Sequence, residues 1–210
     1  MILSKIHTHY IDLSLLKNNC IIIDGGSSYG KFTEEMIKEF NKNNINDYKV
    51  FSIECSKKNI KILEENKNDK IKIYNMALCG QDEEDLIEFN DFVTIDDYYH
   101  EWGNCKGFYI NDLKNNPKFI RLDKYNVDTI KINDIFSFFN IDYIDYLKMD
   151  IEGCELNLVE TLSLESADKI KQMSMEIHYK DKVDYVINIL KNKGFLISYN
   201  DDYEIYAVRR

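Results

Sequence analysis

The segment that runs from Cys20 to Gly30 constrains the fold of this chain more than any other part of the sequence. It starts with the short, β-branched apolar run Cys20–Ile23, which is typical of a buried parallel strand. After Tyr29, apolar residues recur with a helical period and charged residues lie between them. The turn between the two holds an acidic residue and three glycines: Asp24, Gly25, Gly26 and Gly30. The sequence therefore predicts a strand, a glycine turn and a helix.

Short apolar strands alternate with amphipathic helices along the rest of the chain. Strands are predicted at 50–54, 71–77, 143–150 and 171–178, with a closing antiparallel pair at 195–199 and 204–208. This alternation predicts an α/β fold built on an open, mostly parallel sheet with one antiparallel strand. Ligands of such sheets bind beyond the carboxyl ends of the strands, so the residues at those ends are candidates for function.

The domain organisation is expected to be simple. The sequence shows no internal repeat and no low-complexity linker, so we predict a single domain over 1–210, with 1–19 as an N-terminal lead-in. The segment 91–126 breaks the periodicity and is polar and aromatic. A long aperiodic segment inside a compact domain is usually a functional loop, so an insertion or an acceptor-binding lid is predicted there.

Charge and composition narrow the class of partner. The chain has 27 basic and 37 acidic side chains and a net charge of -10, which makes nucleic acid an unlikely substrate. Its five cysteines are scattered without a CxxC pair, which favours reduced thiols in the cytoplasm. No apolar run approaches the roughly 20 residues of a membrane-spanning helix, and no secretory signal is evident.

The first two strands end in groups that suit a nucleoside ligand with an amino-acid end. The spacing D-G-G-x-x-x-G differs from the G-x-G-x-x-G of dinucleotide enzymes, and an acid before the glycines fits an amino acid better than a pyrophosphate. Glu54 ends the second strand, where a carboxylate can accept both hydroxyls of a ribose. The alternatives are a tight turn without a ligand and, for Glu54, a solvated charge or a helix-start anion.

Later strands contribute an apolar wall and titratable groups. Ala77 and Leu78 end the third strand and are candidates to flank a purine ring. The fourth strand leads into Asp150, Glu152 and Glu155. One of these carboxylates is a candidate general base for a hydroxyl, or two of them are candidate ligands of a divalent cation. Glu152 and Glu155 have the alternative role of complementing the next helix N-terminus.

Histidine positions differ in their context. His178 follows the fifth strand in a Glu-x-His arrangement that directs alternate side chains to one face, so we predict a general base there. The other histidines lack such a context and are expected at the surface: His7, His9 and His100.

These segments together resemble the FkbM family of methyltransferases, in order, from about residue 20 to about residue 180. The K-x-D-x-E-G-x-E block is the most family-specific piece, whereas the glycine turn is shared by class I methyltransferases. The resemblance is carried by Ile22–Gly30, Ser52–Glu54, Ala77–Leu78, Thr129–Ile130, Leu147–Glu155 and Glu176–His178.

The resemblance implies a class I Rossmann-like fold with a seven-stranded sheet, one antiparallel strand and helices on both faces. It implies S-adenosylmethionine as cofactor and O-methylation, commonly of a sugar or polyketide-type hydroxyl. The expected cofactor-binding residues are Asp24, Gly25, Gly26, Gly30, Glu54, Cys55, Ala77 and Leu78. The expected acceptor-side catalytic residues are Asp150, Glu152 and His178. Cys55 stands where the family usually has proline, and Gly25 where it has a β-branched residue, which is expected to loosen the turn.

Two other functions stay open at this stage: a non-catalytic binding module on the same fold, and a nicotinamide-dependent oxidoreductase. The expected partner is a small-molecule or carbohydrate acceptor. No metal is required by the sequence, and Asp150 and Glu152 would be its ligands if one were present. The oligomeric state is not indicated.

Overall fold

The computed structural model describes residues 3–94, 101–104, 119–201 and 203–209. Its strands are β1 (Leu3–Ile6), β2 (His9–Asp12), β3 (Cys20–Gly25), β4 (Tyr48–Glu54), β5 (Ile71–Cys79), β6 (Leu86–Thr94), β7 (Glu101–Asn104), β8 (Phe119–Lys131), β9 (Tyr146–Met149), β10 (Gln172–Glu176), β11 (Phe195–Asn200) and β12 (Glu204–Arg209). Its α-helices are α1 (Lys31–Lys42), α2 (Lys57–Asn66), α3 (Ile135–Phe139), α4 (Glu155–Thr161), α5 (Leu164–Asp168) and α6 (Val183–Asn192). Single 3₁₀ turns span Leu13–Leu15 and Lys180–Lys182.

Within these described ranges, ten strands form one sheet in the order β11-β12-β10-β9-β3-β4-β5-β8-β6-β7. The seven strands from β11 to β5 have the predicted arrangement, because all are parallel except β12, which runs antiparallel to both of its neighbours. The α/β fold class is thus confirmed. The predicted number of strands is too low, since β8, β6 and β7 extend the sheet beyond β5.

The additional strands lie largely in the segment 91–126, which the sequence left without regular structure. β6 pairs antiparallel with β8 along its whole length, and β7 pairs antiparallel with β6. The prediction of a segment without regular structure is therefore wrong for residues 91–94, 101–104 and 119–126, which the structure describes. Of the side chains at 123–129 only that of Val127 is buried, so this strand lacks the apolar alternation by which strands are predicted. Residues 95–100 and 105–118 lie outside the described residues, and the role of the segment in binding an acceptor stays a prediction.

Alternate residues of β3 face two separate cores. Ile21 and Ile23 pack with side chains of α3, α4, α5 and α6, whereas Cys20 and Ile22 pack with α1 and the N-terminal strands. Helices therefore cover both faces of the sheet, as predicted. α1 buries Phe32, Met36 and Phe40, which lie four residues apart on one side of the helix. Across the described ranges, no helix has the length and apolar character of a membrane span.

The N-terminal lead-in is a structural element. β1 and β2 form an antiparallel hairpin over residues 3–12, here called the N-terminal hairpin. Its second strand lies against β10: the Tyr10 amide donates to Ser174 Oγ at 3.2 Å, and the Asp12 amide donates to Gln172 Oε1 at 3.0 Å. The side chain of Ile11, on the second strand of the hairpin, is fully buried. The hairpin thus covers the sheet beside the carboxyl ends of the central strands.

Candidate active site

A cavity of about 310 Å³ opens at the carboxyl ends of the central parallel strands, where open α/β sheets bind their ligands. Most of the predicted site residues line it: Gly26, Glu54, Cys55, Ala77, Leu78, Asp150 and Glu152. Asp24, Gly25, Gly30 and His178 are not among the lining residues. One cavity therefore joins the cofactor-binding and acceptor-side residues that the sequence predicted separately.

Asp24 holds the glycine turn from inside the protein. The parallel register of β3 and β9 places it opposite Lys148, and both side chains are buried. Thr33 Oγ1 donates to Asp24 Oδ2 at 2.7 Å, and Lys148 Nζ lies 3.2 Å from Asp24 Oδ1. Lys148 Nζ also donates to the carbonyl oxygen of Gly26 at 2.6 Å. Burial lowers the pKa of Lys148, but the carboxylates of Asp24 and Asp150 outweigh it and raise that pKa overall. The ammonium group therefore stays charged and fixes the turn.

The glycines of this segment are needed for two different reasons. Gly26 has a φ of +70°, and a Cβ there would lie 1.7 Å from the carbonyl oxygen of Asp150. Gly25 lies within β3 rather than in the turn, and a Cβ there would lie 2.7 Å from Leu78 Cδ2. A larger residue at position 25 would therefore meet Leu78 of β5, and Gly25 is part of a strand rather than of the turn that it was expected to loosen.

Glu54 presents a fixed carboxylate to the cavity. Its Oε2 accepts the Ser28 amide and its Oε1 accepts the Ser56 amide, each at 2.7 Å. Ser28 belongs to the glycine turn and Ser56 caps α2, so the two segments hold the carboxylate between them. A carboxylate oxygen can accept more than one hydrogen bond.

An apolar wall stands beside Glu54. Ala77 and Leu78 are buried on β5, and Cys55 Sγ donates to the Met76 carbonyl oxygen at 3.4 Å. The sequence did not point to Phe89, which also lines this wall from β6. Tyr125 ties β8 to the same region, since its hydroxyl accepts the Lys57 amide at 2.9 Å and donates to the Cys55 carbonyl oxygen at 3.2 Å. The sheet extension therefore shapes the cofactor side of the cavity.

Titratable side chains from the turn after β9, from the start of α4 and from the end of β10 meet on the opposite side. We call them the acceptor-side cluster: Asp150, Glu152, Glu155, Glu176 and His178. His178 Nδ1 lies 3.0 Å from Glu155 Oε1, and its Nε2 lies 3.2 Å from Glu152 Oε2 and 3.9 Å from Asp150 Oδ1. The three predicted catalytic residues are thus brought together.

Glu155 has a structural role within this cluster. It is fully buried and accepts the amides of Ile151 at 2.9 Å and Gly153 at 3.0 Å. Its carboxylate therefore closes the turn after β9 and, through Nδ1, orients the His178 ring.

Several side chains of the acceptor-side cluster have strongly shifted pKa values. Burial lowers the pKa of His178, but the hydrogen bond to Glu155 and the neighbouring carboxylates outweigh it and raise that pKa to about 10. Burial raises the pKa of Glu152 to about 8 against the opposing charge of His178. Burial also acts to raise the pKa of Asp150, but His9, Lys148 and His178 lower it overall. Without a bound ion, His178 is therefore a cation at neutral pH, and Asp150 is the ionised carboxylate beside it.

The prediction that His9 lies at the surface is wrong. Its side chain is 0% exposed, and its Nδ1 lies 3.1 Å from Glu204 Oε1, which also accepts the Ser174 hydroxyl. Its Nε2 lies 3.8 Å from Asp150 Oδ2. No sequence signal marks His9, because its environment comes from β10 and β12. His7 is exposed as predicted, and His100 lies outside the described residues.

Lys148 is also a site residue that the sequence analysis did not assign. It lies in an otherwise apolar strand, and a lysine there is a usable signal, because buried lysines are rare unless they are paired.

The strand order of the central sheet, together with a glycine turn and an acidic strand end at one cavity, defines a Rossmann-like methyltransferase fold of class I. Residues 27–197 match the family described as the methyltransferase FkbM domain. This chain belongs to that family.

A solved structure of an FkbM methyltransferase agrees with this fold. A methyltransferase FkbM from Methylobacillus flagellatus is similar with a TM-score of 0.54 and 16% identity, over 91% of this chain and 44% of that one. This chain thus spans less than half the length of that protein. A precorrin-6y C5,15-methyltransferase from Geobacter metallireducens has a TM-score of 0.47 and 9% identity, over 94% of this chain and 85% of that one. The O-methyltransferase NovP has a TM-score of 0.44 and 8% identity, over 93% of this chain and 73% of that one. No curated protein matches the sequence.

Proposed function

We propose that this chain is an S-adenosylmethionine-dependent O-methyltransferase that acts on a hydroxyl group of a small molecule, with sugars and glycans as the preferred class. One observation carries the proposal: a single cavity is lined by the glycine turn and Glu54 on one side and by Asp150 on the other. A methyl donor and an acceptor hydroxyl must meet in such a cavity, because direct transfer requires both in one aligned complex.

The cofactor side suits the three parts of S-adenosylmethionine. The fixed carboxylate of Glu54 would accept the ribose hydroxyls. The apolar wall of Cys55, Ala77, Leu78 and Phe89 would flank the adenine ring. Gly26 lets the backbone approach the methionine part without a Cβ in the way. Asp24 supports this part indirectly, because its bonds to Thr33 and Lys148 hold the turn in place.

The acceptor side supplies groups for the transfer step. S-adenosylmethionine, when bound, would supply the methyl group of its sulfonium to the acceptor oxygen, and S-adenosylhomocysteine would be the leaving group. Asp150, which faces the cavity, would accept the hydroxyl proton. His178 and Lys148 hold the carboxylate in position by their charge. The sulfonium is already a good leaving group, so alignment is the main contribution of the protein.

Cofactor binding tests the proposal. Calorimetry with Glu54→Gln and Asp24→Asn is expected to show at least about tenfold weaker binding of S-adenosylmethionine, a loss of about 1.4 kcal/mol, because each variant removes a carboxylate that positions the cofactor or its turn. Glu64→Gln is the matched control, since Glu64 is an exposed glutamate on α2 that pairs with Lys67, and its affinity should equal that of the wild type.

Unchanged affinity in both site variants would contradict the cofactor assignment. Thermal stabilisation by NAD but not by S-adenosylmethionine would instead favour an oxidoreductase. Methyl transfer should then be measured over monosaccharides, nucleotide sugars and small phenols. Tight cofactor binding without transfer to any hydroxyl would identify a binding module.

A further inference from the structure

The imidazole of His9 lies between two carboxylates. Its Nδ1 lies 3.1 Å from Glu204 Oε1 at the start of β12, and its Nε2 lies 3.8 Å from Asp150 Oδ2 after the end of β9. A neutral imidazole has one N–H and one bare nitrogen, so it would direct a lone pair at one of the two carboxylates. Burial lowers the pKa of His9, but the two carboxylates outweigh it and raise that pKa overall. The position therefore favours the imidazolium, which donates from both nitrogens.

Contacts on other sides fix the position of this ring. Phe32 of α1 meets it edge-on, with the ring centroids 5.8 Å apart and the planes at 84°. The hydroxyl of Tyr146 donates to the carbonyl oxygen of Tyr10 at 3.1 Å. Tyr146 begins β9, the strand that leads to Asp150, and Tyr10 follows His9 in the N-terminal hairpin. The hairpin is therefore tied to the strand whose end it faces.

The Nε2 atom of His9 is the unusual feature of this arrangement. It is buried and has no hydrogen-bond partner within the part of the chain that the structure describes. A buried polar atom without a partner is costly, so it calls for an explanation. Its separation from Asp150 exceeds the usual length of a hydrogen bond, which is about 2.7–3.2 Å. Asp150 lines the cavity and 27% of its side chain is exposed, so its carboxylate has room to close this gap.

The other cations beside Asp150 have further partners. His178 Nε2 lies 3.9 Å from Asp150 Oδ1 but 3.2 Å from a second carboxylate, that of Glu152. Lys148 is held by the glycine turn, whose carbonyl oxygen at position 26 accepts its Nζ at 2.6 Å. Both cations act on Asp150 by charge, whereas His9 has a donor that can be given to it fully.

We propose that His9 is a positioning residue for Asp150: Glu204 holds the imidazolium, and its Nε2 donates to Asp150 Oδ2 and orients the carboxylate towards the acceptor hydroxyl. A buried carboxylate on one imidazole nitrogen fixes the ring so that the other nitrogen acts at a defined point. Hydrogen bonds that support catalysis often shorten when substrate binds, so the acceptor would complete this contact. The inference rests on the proposed function, in which Asp150 accepts the hydroxyl proton, and His9 keeps its own protons throughout.

Nuclear magnetic resonance tests the contact without any acceptor. The full chain is labelled with ¹⁵N-histidine, and the His9 signals are identified by their absence in His9→Gln. At neutral pH both ring nitrogens of His9 should carry protons. Asp150→Asn should shift the Nε2 signal more than the Nδ1 signal, because Nδ1 faces Glu204. Circular dichroism shows that each variant is folded.

Kinetics test the role in transfer, with the monosaccharide, nucleotide sugar or phenol that the chain methylates. His9→Gln should lower kcat at least about tenfold, while the KM of the acceptor and the Kd of S-adenosylmethionine change by less than about twofold. His9→Gln combined with Asp150→Asn should be no slower than Asp150→Asn alone, because His9 acts through Asp150. A merely structural role of His9 would instead give additive losses.

Ile11→Ala is the matched control. Ile11 lies on the same strand as His9 and is fully buried, but its substitution removes no hydrogen-bonding group. This variant should have a lower Tm and keep the kcat of the wild type at temperatures where it is folded.

Four results would each overturn the proposal: a neutral His9 ring, an Nε2 signal that Asp150→Asn leaves unchanged, additive losses in the double variant, or an equal loss of kcat in Ile11→Ala. Failure of S-adenosylmethionine to bind contradicts the proposed function instead. The resonance experiment then still decides whether His9 donates to Asp150.

Discussion

Gly26 couples the two halves of the site at the level of a single residue. Its backbone carbonyl accepts a hydrogen bond from Lys148 Nζ, and the absence of a side chain leaves room for the carbonyl oxygen of Asp150. The turn that faces the cofactor and the strand end that faces the acceptor are therefore in direct backbone contact. A change at Gly26 should affect both binding sites.

The substitution Gly26→Ala should lower both stability and cofactor affinity. A left-handed φ costs an L residue roughly 1–2 kcal/mol, and the clash with the Asp150 carbonyl adds to this cost. Urea unfolding should show a loss of about 2 kcal/mol or more, and calorimetry should show weaker binding of S-adenosylmethionine.

The control is Gly194→Ala. Gly194 also has a positive φ, of +88°, but a Cβ there meets only the flexible end of Arg209. This variant should be destabilised only by the cost of its positive φ, and it should bind the cofactor normally. Equal losses of affinity in the two variants would show that the contact with Asp150 is unimportant.

Individual site residues differ in how far the sequence could predict them. The role of Glu54 could be predicted because it depends on a local feature, an acid at the end of a strand before a capped helix. The role of His9 could not be predicted, because its burial and its partners come from strands more than 160 residues later in the chain. Glu155 was ambiguous in the sequence, and only the structure shows that it closes a turn and orients His178.

Among the elements, those with strong periodicity were predictable. The helix α1 and the strand β3 have apolar patterns that match their burial, because each packs against a core. The strand β8 was not recognised, since only Val127 and Ile130 are buried among its side chains at 123–131. A pattern that arises from burial cannot mark an element that is mostly exposed.

The N-terminal hairpin is the element whose importance the sequence concealed. We expect Ile11→Ala to lower the free energy of unfolding by about 2–5 kcal/mol, because Ile11 is fully buried and its removal leaves a cavity. Hydrogen exchange should rise in residues 3–12. Leu15→Ala, at a leucine 40% exposed in the following 3₁₀ turn, should change stability by less than about 0.5 kcal/mol. Similar effects of both substitutions would argue that the hairpin is only loosely attached.

At the scale of the whole molecule, the net charge of -10 acts on the cofactor before any contact forms. S-adenosylmethionine carries one more positive charge than S-adenosylhomocysteine, because the product lacks the sulfonium. An acidic protein should therefore attract the substrate form over the product form at long range.

This attraction predicts a salt dependence. Raising ionic strength from 0.01 to 0.15 M shortens the Debye length from about 30 Å to about 8 Å. The association rate of S-adenosylmethionine, measured by stopped-flow fluorescence, should fall by a factor of about three or more. The rate for S-adenosylhomocysteine should stay nearly constant. Parallel decreases for both ligands would exclude charge steering by the sulfonium.

The bond between His9 and Glu204 joins residues 195 positions apart. The hairpin precedes β12 along the chain, so its histidine gains its carboxylate partner only when β12 joins the sheet. Contacts of such long range are made late in folding, because closing the chain between them costs entropy. A chain in which β12 has not yet joined the sheet would therefore have the cofactor turn but lack the complete set of side chains around Asp150, and full reactivity would depend on this late contact.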